Sequence, residues 1–187
     1  MPNPFALFNP RRLSAAEIVH LEPIFRQQLR YERVRVYEAV ALPDTIDDLG
    51  RWLKKMKPRA EGAHNAITLG NRCLFGGALP AWEESGGRGL AWLVHELVHV
   101  CQFQNLGWKY LRMAWRAQRE LGGRVYDFGG EGGLRDSFAS GKRYQDFNLE
   151  QQAHIVETYY LRTRLGKDVS AWEPYMAQFR NVYPGGG

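Results

Sequence analysis

The chain has 187 residues, 44% of them hydrophobic and 24% charged. This balance fits one soluble globular domain with a real core and excludes a fibrous or disordered chain. The formal net charge of +5 comes from scattered Arg and Lys with no block of like charge, so no nucleic-acid partner is expected. No apolar run reaches the length of a membrane span.

In chain order, residues 1–12 are Pro-rich and predicted irregular. Met1-Pro2-Asn3-Pro4 lacks a basic region followed by an apolar core. Synthesis in the cytosol is therefore expected, with any export through a machine that needs no signal peptide. Ser14-Ala15-Ala16-Glu17 fits a capping box and opens a helix predicted to run to about Leu29, interrupted by Pro23. Ile18, Leu21, Ile24, Phe25 and Leu29 form its inward face. Residues 34–40 alternate and are rich in β-branched types, so they read as a strand. Residues 45–56 are ambiguous, with a short helix broken near Gly50 as one reading. Residues 63–69 and 73–75 read as two strands of a hairpin around Gly70-Asn71, with His64 at its start as a surface residue. Cys73 and Cys101 read as buried, reduced thiols.

Residues 89–107, G-L-A-W-L-V-H-E-L-V-H-V-C-Q-F-Q-N-L-G, carry an H-E-x-x-H motif. Residues four apart share a helix face, so His95 and His99 can present two imidazoles to one metal ion. Glu96 lies beside them as a carboxylate base. The alternative is two ordinary histidines on a structural helix. Against it stand Ala91, Trp92, Leu93, Val94, Leu97, Val98, Val100 and Phe103, which make the helix apolar on nearly every face. Polar groups carried into a core need partners, and a metal such as Zn²⁺ satisfies all three together.

Residues 108–120 read as a second amphipathic helix with Trp108, Leu111 and Trp115 in the core. Residues 122–147 hold seven glycines among scattered aromatics and charges, and read as a flexible loop near the cleft. Asp127, Glu131 and Asp136 within it read as solvated carboxylates. Asn148 caps a further helix ending at Gly166; a last helix over 171–181 precedes a Gly tail at 184–187. No linker divides residues 1–187, which are read as one domain.

A catalytic zinc takes three protein ligands and keeps one position open. The metzincin spacing would need Gly at 102 and His at 105; Gln102 and Asn105 stand there instead. The third ligand is therefore expected from a later helix. Glu150, His154 and Glu157 share one face of the 148–166 helix. Glu150 sits in the first turn, where the helix dipole favours a carboxylate. Two options stand: Glu150 as ligand with His154 steadying the site, or His154 as ligand in a three-histidine site.

The surroundings of Glu150 resemble the glutamate helix of gluzincins, where an Asp four residues on orients a ligand histidine; His154 occupies that position here. Together H-E-L-V-H-V-C-Q, N-L-E-Q-Q-A and the weaker upstream stretches V-R-V-Y-E-A-V and H-N-A-I-T-L-G-N-R-C-L-F resemble the small bacterial Vgr-related proteins, zincin-like domains encoded with type VI secretion and Rhs elements. A more distant similarity is to the zincin-like domain of extracellular contractile injection systems. The resemblance covers most of residues 13–165. It implies an α+β, mainly helical zincin-like domain with a small sheet beside the active helix, in which a strand before that helix edges the cleft. It also implies a zinc metallopeptidase linked to secretion machinery.

The expected activity is hydrolysis of a peptide bond by water on Zn²⁺ activated by Glu96, with Tyr159 or Tyr160 stabilising the oxyanion. The expected partners are a protein or peptide substrate and a secretion-spike, effector or immunity protein. The other reading is a catalytically inactive zincin-like module that docks onto a spike or effector.

Overall fold

A computed structural model describes residues 10–44, 64–80, 88–107 and 126–182. The fold is α+β. Its described elements are α1 (Ala15–Phe25), β1 (Arg35–Tyr37), β2 (Ala66–Leu69), β3 (Arg72–Phe75), α2 (Arg88–Leu106), α3 (Gly130–Ala139), α4 (Leu149–Arg164) and α5 (Glu173–Val182). The predictions for 45–56 and 108–120 fall outside the described residues.

The capping box at Ser14 forms in both directions. The Ser14 hydroxyl accepts from the Glu17 amide at 3.2 Å, and the Glu17 carboxylate accepts from the Ser14 amide at 2.7 Å. Leu21, Ile24 and Phe25 bury the inner face of α1. The α-helix stops at Phe25, short of the expected Leu29, where Arg26 adopts a positive φ of 49° and a 3-10 turn follows. Of the stretch read as irregular, only residues 10–12 are among the described residues. Arg11 bridges to Val36, exchanging backbone hydrogen bonds of 2.9 and 2.8 Å, and its guanidinium joins Glu17 and Glu38.

The hairpin forms where the Gly70-Asn71 pair implied, with Gly70 at φ +66°. The sheet order is β1-β3-β2: β1 lies parallel to β3, and β2 is antiparallel to β3 with Thr68 opposite Cys73. Among the described strands β2 lies at the edge, packed against α2. Cys73 and Cys101 are both free and buried.

α2 is the axis of the core. Leu93, Val94, Leu97, Val98 and Val100 are completely buried. Each such side chain contributes about 1.5–3 kcal/mol, enough together to carry polar neighbours inward. The helix ends at Gly107, whose φ of +60° and bond to the Phe103 carbonyl close the last turn. α2 packs chiefly on α4, with the sheet on another side. No helix among the described residues is long and apolar enough to cross a membrane.

Of the segment 122–147 expected to be a flexible loop, the described residues 126–147 are instead partly helical. Gly129, at φ +83°, starts α3, and residues 144–146 form a 3-10 turn. Glycine is a poor helix former and the segment has no apolar period, so the sequence reads as loop. Tertiary contacts override it: Leu134 is fully buried, and its carbonyl accepts from the Tyr175 hydroxyl at 3.0 Å. Glu131 pairs with Arg135 and Arg162, and Asp127 accepts from the Gly129 amide. α4 starts on a second capping box, between Asn148 and Gln151.

Candidate metal centre

α2 and α4 cross so that one turn of each faces the other. The Nε2 atoms of His95 and His99 lie 3.2 Å apart. Oε2 of Glu150 lies 3.3 Å from the first and 3.2 Å from the second. The three atoms thus form a nearly equilateral triangle. A tetrahedral ion with bonds of about 2.0 Å has donor–donor edges of about 3.3 Å, so the triangle fits one face of such a shell. Two imidazoles and a carboxylate suit a divalent first-row metal. The two histidines are buried, and Glu150 is largely so.

Each histidine has its other nitrogen fixed. His95 Nδ1 donates to Glu157 Oε2 at 3.0 Å, and His99 Nδ1 donates to Gln102 Oε1 at 2.9 Å. A neutral imidazole has one N–H and one lone pair, so these bonds aim both Nε2 lone pairs into the triangle. Gln102 is itself held, donating to the Leu149 carbonyl and to Gln152 Oε1, each at 3.2 Å; Gln152 donates to the Phe147 carbonyl at 2.8 Å. This amide chain is buried and runs from α2 into α4.

His154 lies outside the triangle. Its Nδ1 meets Glu157 Oε2 at 2.9 Å, and its side chain is 40% exposed. Glu157 therefore orients His95, and His154 acts one bond further out, on Glu157. His95, His154 and Glu157 do form a second group of potential ligand atoms. Glu157 and the Nδ1 proton already complete that contact, and the one remaining lone pair of His95 points the other way.

Glu96 is buried, and its carboxylate points to the sheet rather than to solvent. Oε2 accepts from the Thr68 hydroxyl of edge strand β2 at 2.7 Å. The two tyrosines expected at an oxyanion lie elsewhere. The Tyr159 hydroxyl donates to Glu173 on α5 at 2.9 Å, and the buried Tyr160 hydroxyl has no partner among the described residues. At about 1.5 Å rise per residue they sit roughly 14 Å along α4 from Glu150. Among the described residues, Tyr126 lies beside the centre, its ring 6.2 Å from the His95 ring and 45% exposed. His64 pairs with Asp44 at 2.8 Å as an exposed residue.

Without a metal the centre holds protons. Burial alone would lower the pKa of His95, but hydrogen bonds to Glu150 and Glu157 outweigh it and push it up to about 10. His99 is raised too, its burial outweighed by the Glu150 charge. Burial would raise Glu157, but His154 and His95 hold it down at about 2, and the two histidines depress Glu150 further. The raised histidine stabilises the fold fully below its ordinary value of 6.5 and loses this as pH rises toward 10. The depressed carboxylates stabilise fully above their ordinary value of 4.5 and lose this as pH falls. Metal-free protein is therefore expected to melt highest between pH 4.5 and 6.5. Metal competes with these protons, so the metal-loaded form is expected to keep gaining stability toward pH 8. Melting curves with and without chelator across this range check both statements. A metal-free melting temperature that climbs from pH 6.5 to 9 contradicts the first.

Comparison of the chain with protein-family models, curated proteins and solved structures finds no match in any of the three. The functional reading therefore rests on the residues and their geometry.

Proposed function

We propose that the protein is a zinc-dependent peptidase of zincin type. The observation that carries this is the triangle of His95 Nε2, His99 Nε2 and Glu150 Oε2, with edges of 3.2–3.3 Å, beside a buried glutamate on the same helix. Zinc bound there supplies Lewis-acid polarisation of a peptide carbonyl and acidifies water in the site. His95, His99 and Glu150 would hold it, and Glu157 and Gln102 keep the imidazoles in the required tautomer. Glu96 takes a proton from the attacking water and returns it to the leaving amine, so the base is regenerated in each turnover. Among the described strands β2 lies at the sheet edge, the feature an extended peptide uses to add to a sheet.

The resemblance to Vgr-related domains over H-E-L-V-H-V-C-Q and N-L-E-Q-Q-A supports a secretion-system effector or effector-processing role. The test is incubation of the purified full chain with fluorescein-labelled casein. Cleavage that stops with chelator and returns with zinc is expected. A chain that binds zinc and cleaves neither casein nor co-encoded effectors is a docking module, and the peptidase reading falls.

A further inference from the structure

Thr68 is an edge-strand residue that no sequence motif marks, and its hydroxyl is buried against the candidate base. It lies 2.7 Å from Glu96 Oε2, 3.2 Å from the Glu96 carbonyl and 3.9 Å from Cys73 Sγ. A hydroxyl has one proton, and the shortest and most strongly charged acceptor takes it. We infer that Thr68 is a positioning residue: it fixes one oxygen of the Glu96 carboxylate to the sheet and leaves the other for the substrate water. This rests on the peptidase reading given above.

Three observations support it. Thr68 is 6% exposed and Glu96 5%, so water does not compete for the contact. Thr68 is held in place by its register opposite Cys73 in the central strand. Glu96 is carried on a helix whose neighbours Leu93, Leu97 and Val100 are completely buried. A glutamate side chain has several free torsions, and holding it in one rotamer costs conformational entropy. A ready-made donor on a rigid strand meets that cost before substrate arrives, as a preorganised base requires.

The test compares Thr68→Val, which keeps the shape and loses the hydroxyl, with Thr68→Ser, which keeps the hydroxyl. Both are measured in full-length protein loaded with Co²⁺, beside Glu96→Gln. The readout independent of turnover is affinity for acetohydroxamic acid, followed in the visible cobalt spectrum. A chelating hydroxamate gives its hydroxyl proton to an adjacent, correctly aimed carboxylate. Thr68→Val is expected to weaken the hydroxamate about tenfold, and Thr68→Ser to stay within about twofold of wild type. On labelled casein, Thr68→Val is expected to lower kcat about tenfold with KM unchanged. Equal loss in the Val and Ser variants makes the effect one of packing and overturns the assignment. So does an unaltered hydroxamate affinity in Thr68→Val when Glu96→Gln weakens it, and the peptidase reading then stands. If Glu96→Gln itself leaves hydroxamate affinity unaltered, Glu96 does not face the metal, and both readings fall.

Discussion

Changing Glu96 to Gln is expected to lower peptide hydrolysis by about 10²–10⁴-fold while the protein keeps its zinc. The amide has nearly the same shape and can still accept from Thr68 through its oxygen, so the helix and the fold should persist. What it lacks is a basic carboxylate oxygen. The Glu96 carboxylate bonds to Thr68, while His95, His99 and Glu150 meet one another, so metal content separates the two functions. Steady-state rates on labelled casein together with metal analysis of the same sample measure both. Full activity in a zinc-replete Glu96→Gln protein would remove Glu96 from the chemistry.

The second large effect is at Glu150. Glu150→Ala is expected to weaken zinc binding by roughly a hundredfold or more. Loss of a group that merely orients a ligand already costs about 10–100-fold, and Glu150 is proposed to contribute a ligand atom itself. The substitution also acts on the metal-free chain. Glu150 faces two buried histidines whose pKa values it raises. Removing one partner of a buried charge pair costs about 3–5 kcal/mol, less here to the extent that the histidines release their protons. His154→Ala is expected to do much less, because His154 touches Glu157 and not the triangle. Zinc titration of the three proteins by competition with a chromophoric chelator separates the ligand from the outer residue. Equal losses for Glu150→Ala and His154→Ala contradict the assignment.

The parts legible in the sequence were those whose signal is local. His95 and His99 are one helical turn apart, and helix periodicity alone puts them on a common face. The capping boxes at Ser14 and Asn148 and the Gly70-Asn71 turn are likewise written within four residues. Glu150, His154 and Glu157 could be placed on one face. Their separate roles depend on how α4 lies across α2, and no spacing rule supplies that. The contact of Thr68 with Glu96 spans 28 positions and exists only because of the register of the β2–β3 hairpin against α2. Gln102 entered the sequence reading only as a departure from the metzincin spacing; its role at His99 appears when Gln152 and Leu149 are brought alongside. Tyr159 and Tyr160 lie roughly 14 Å along α4 from Glu150, and the Tyr159 hydroxyl is paired with Glu173; neither fact is written in their local sequence. α3 was missed because its helix is stabilised by Leu134 and Tyr175 rather than by propensity.

The most direct measurement is the metal content of the purified protein after dialysis against zinc, set beside that of His99→Ala. His99 is almost wholly buried and meets both other members of the triangle. Wild-type protein is expected to hold one tightly bound zinc ion per chain, with zinc X-ray absorption showing two imidazole ligands and a carboxylate. His99→Ala is expected to lose it on dialysis and still fold. Wild-type protein that retains no stoichiometric zinc, or a His99→Ala variant that retains as much as wild type, would contradict the centre.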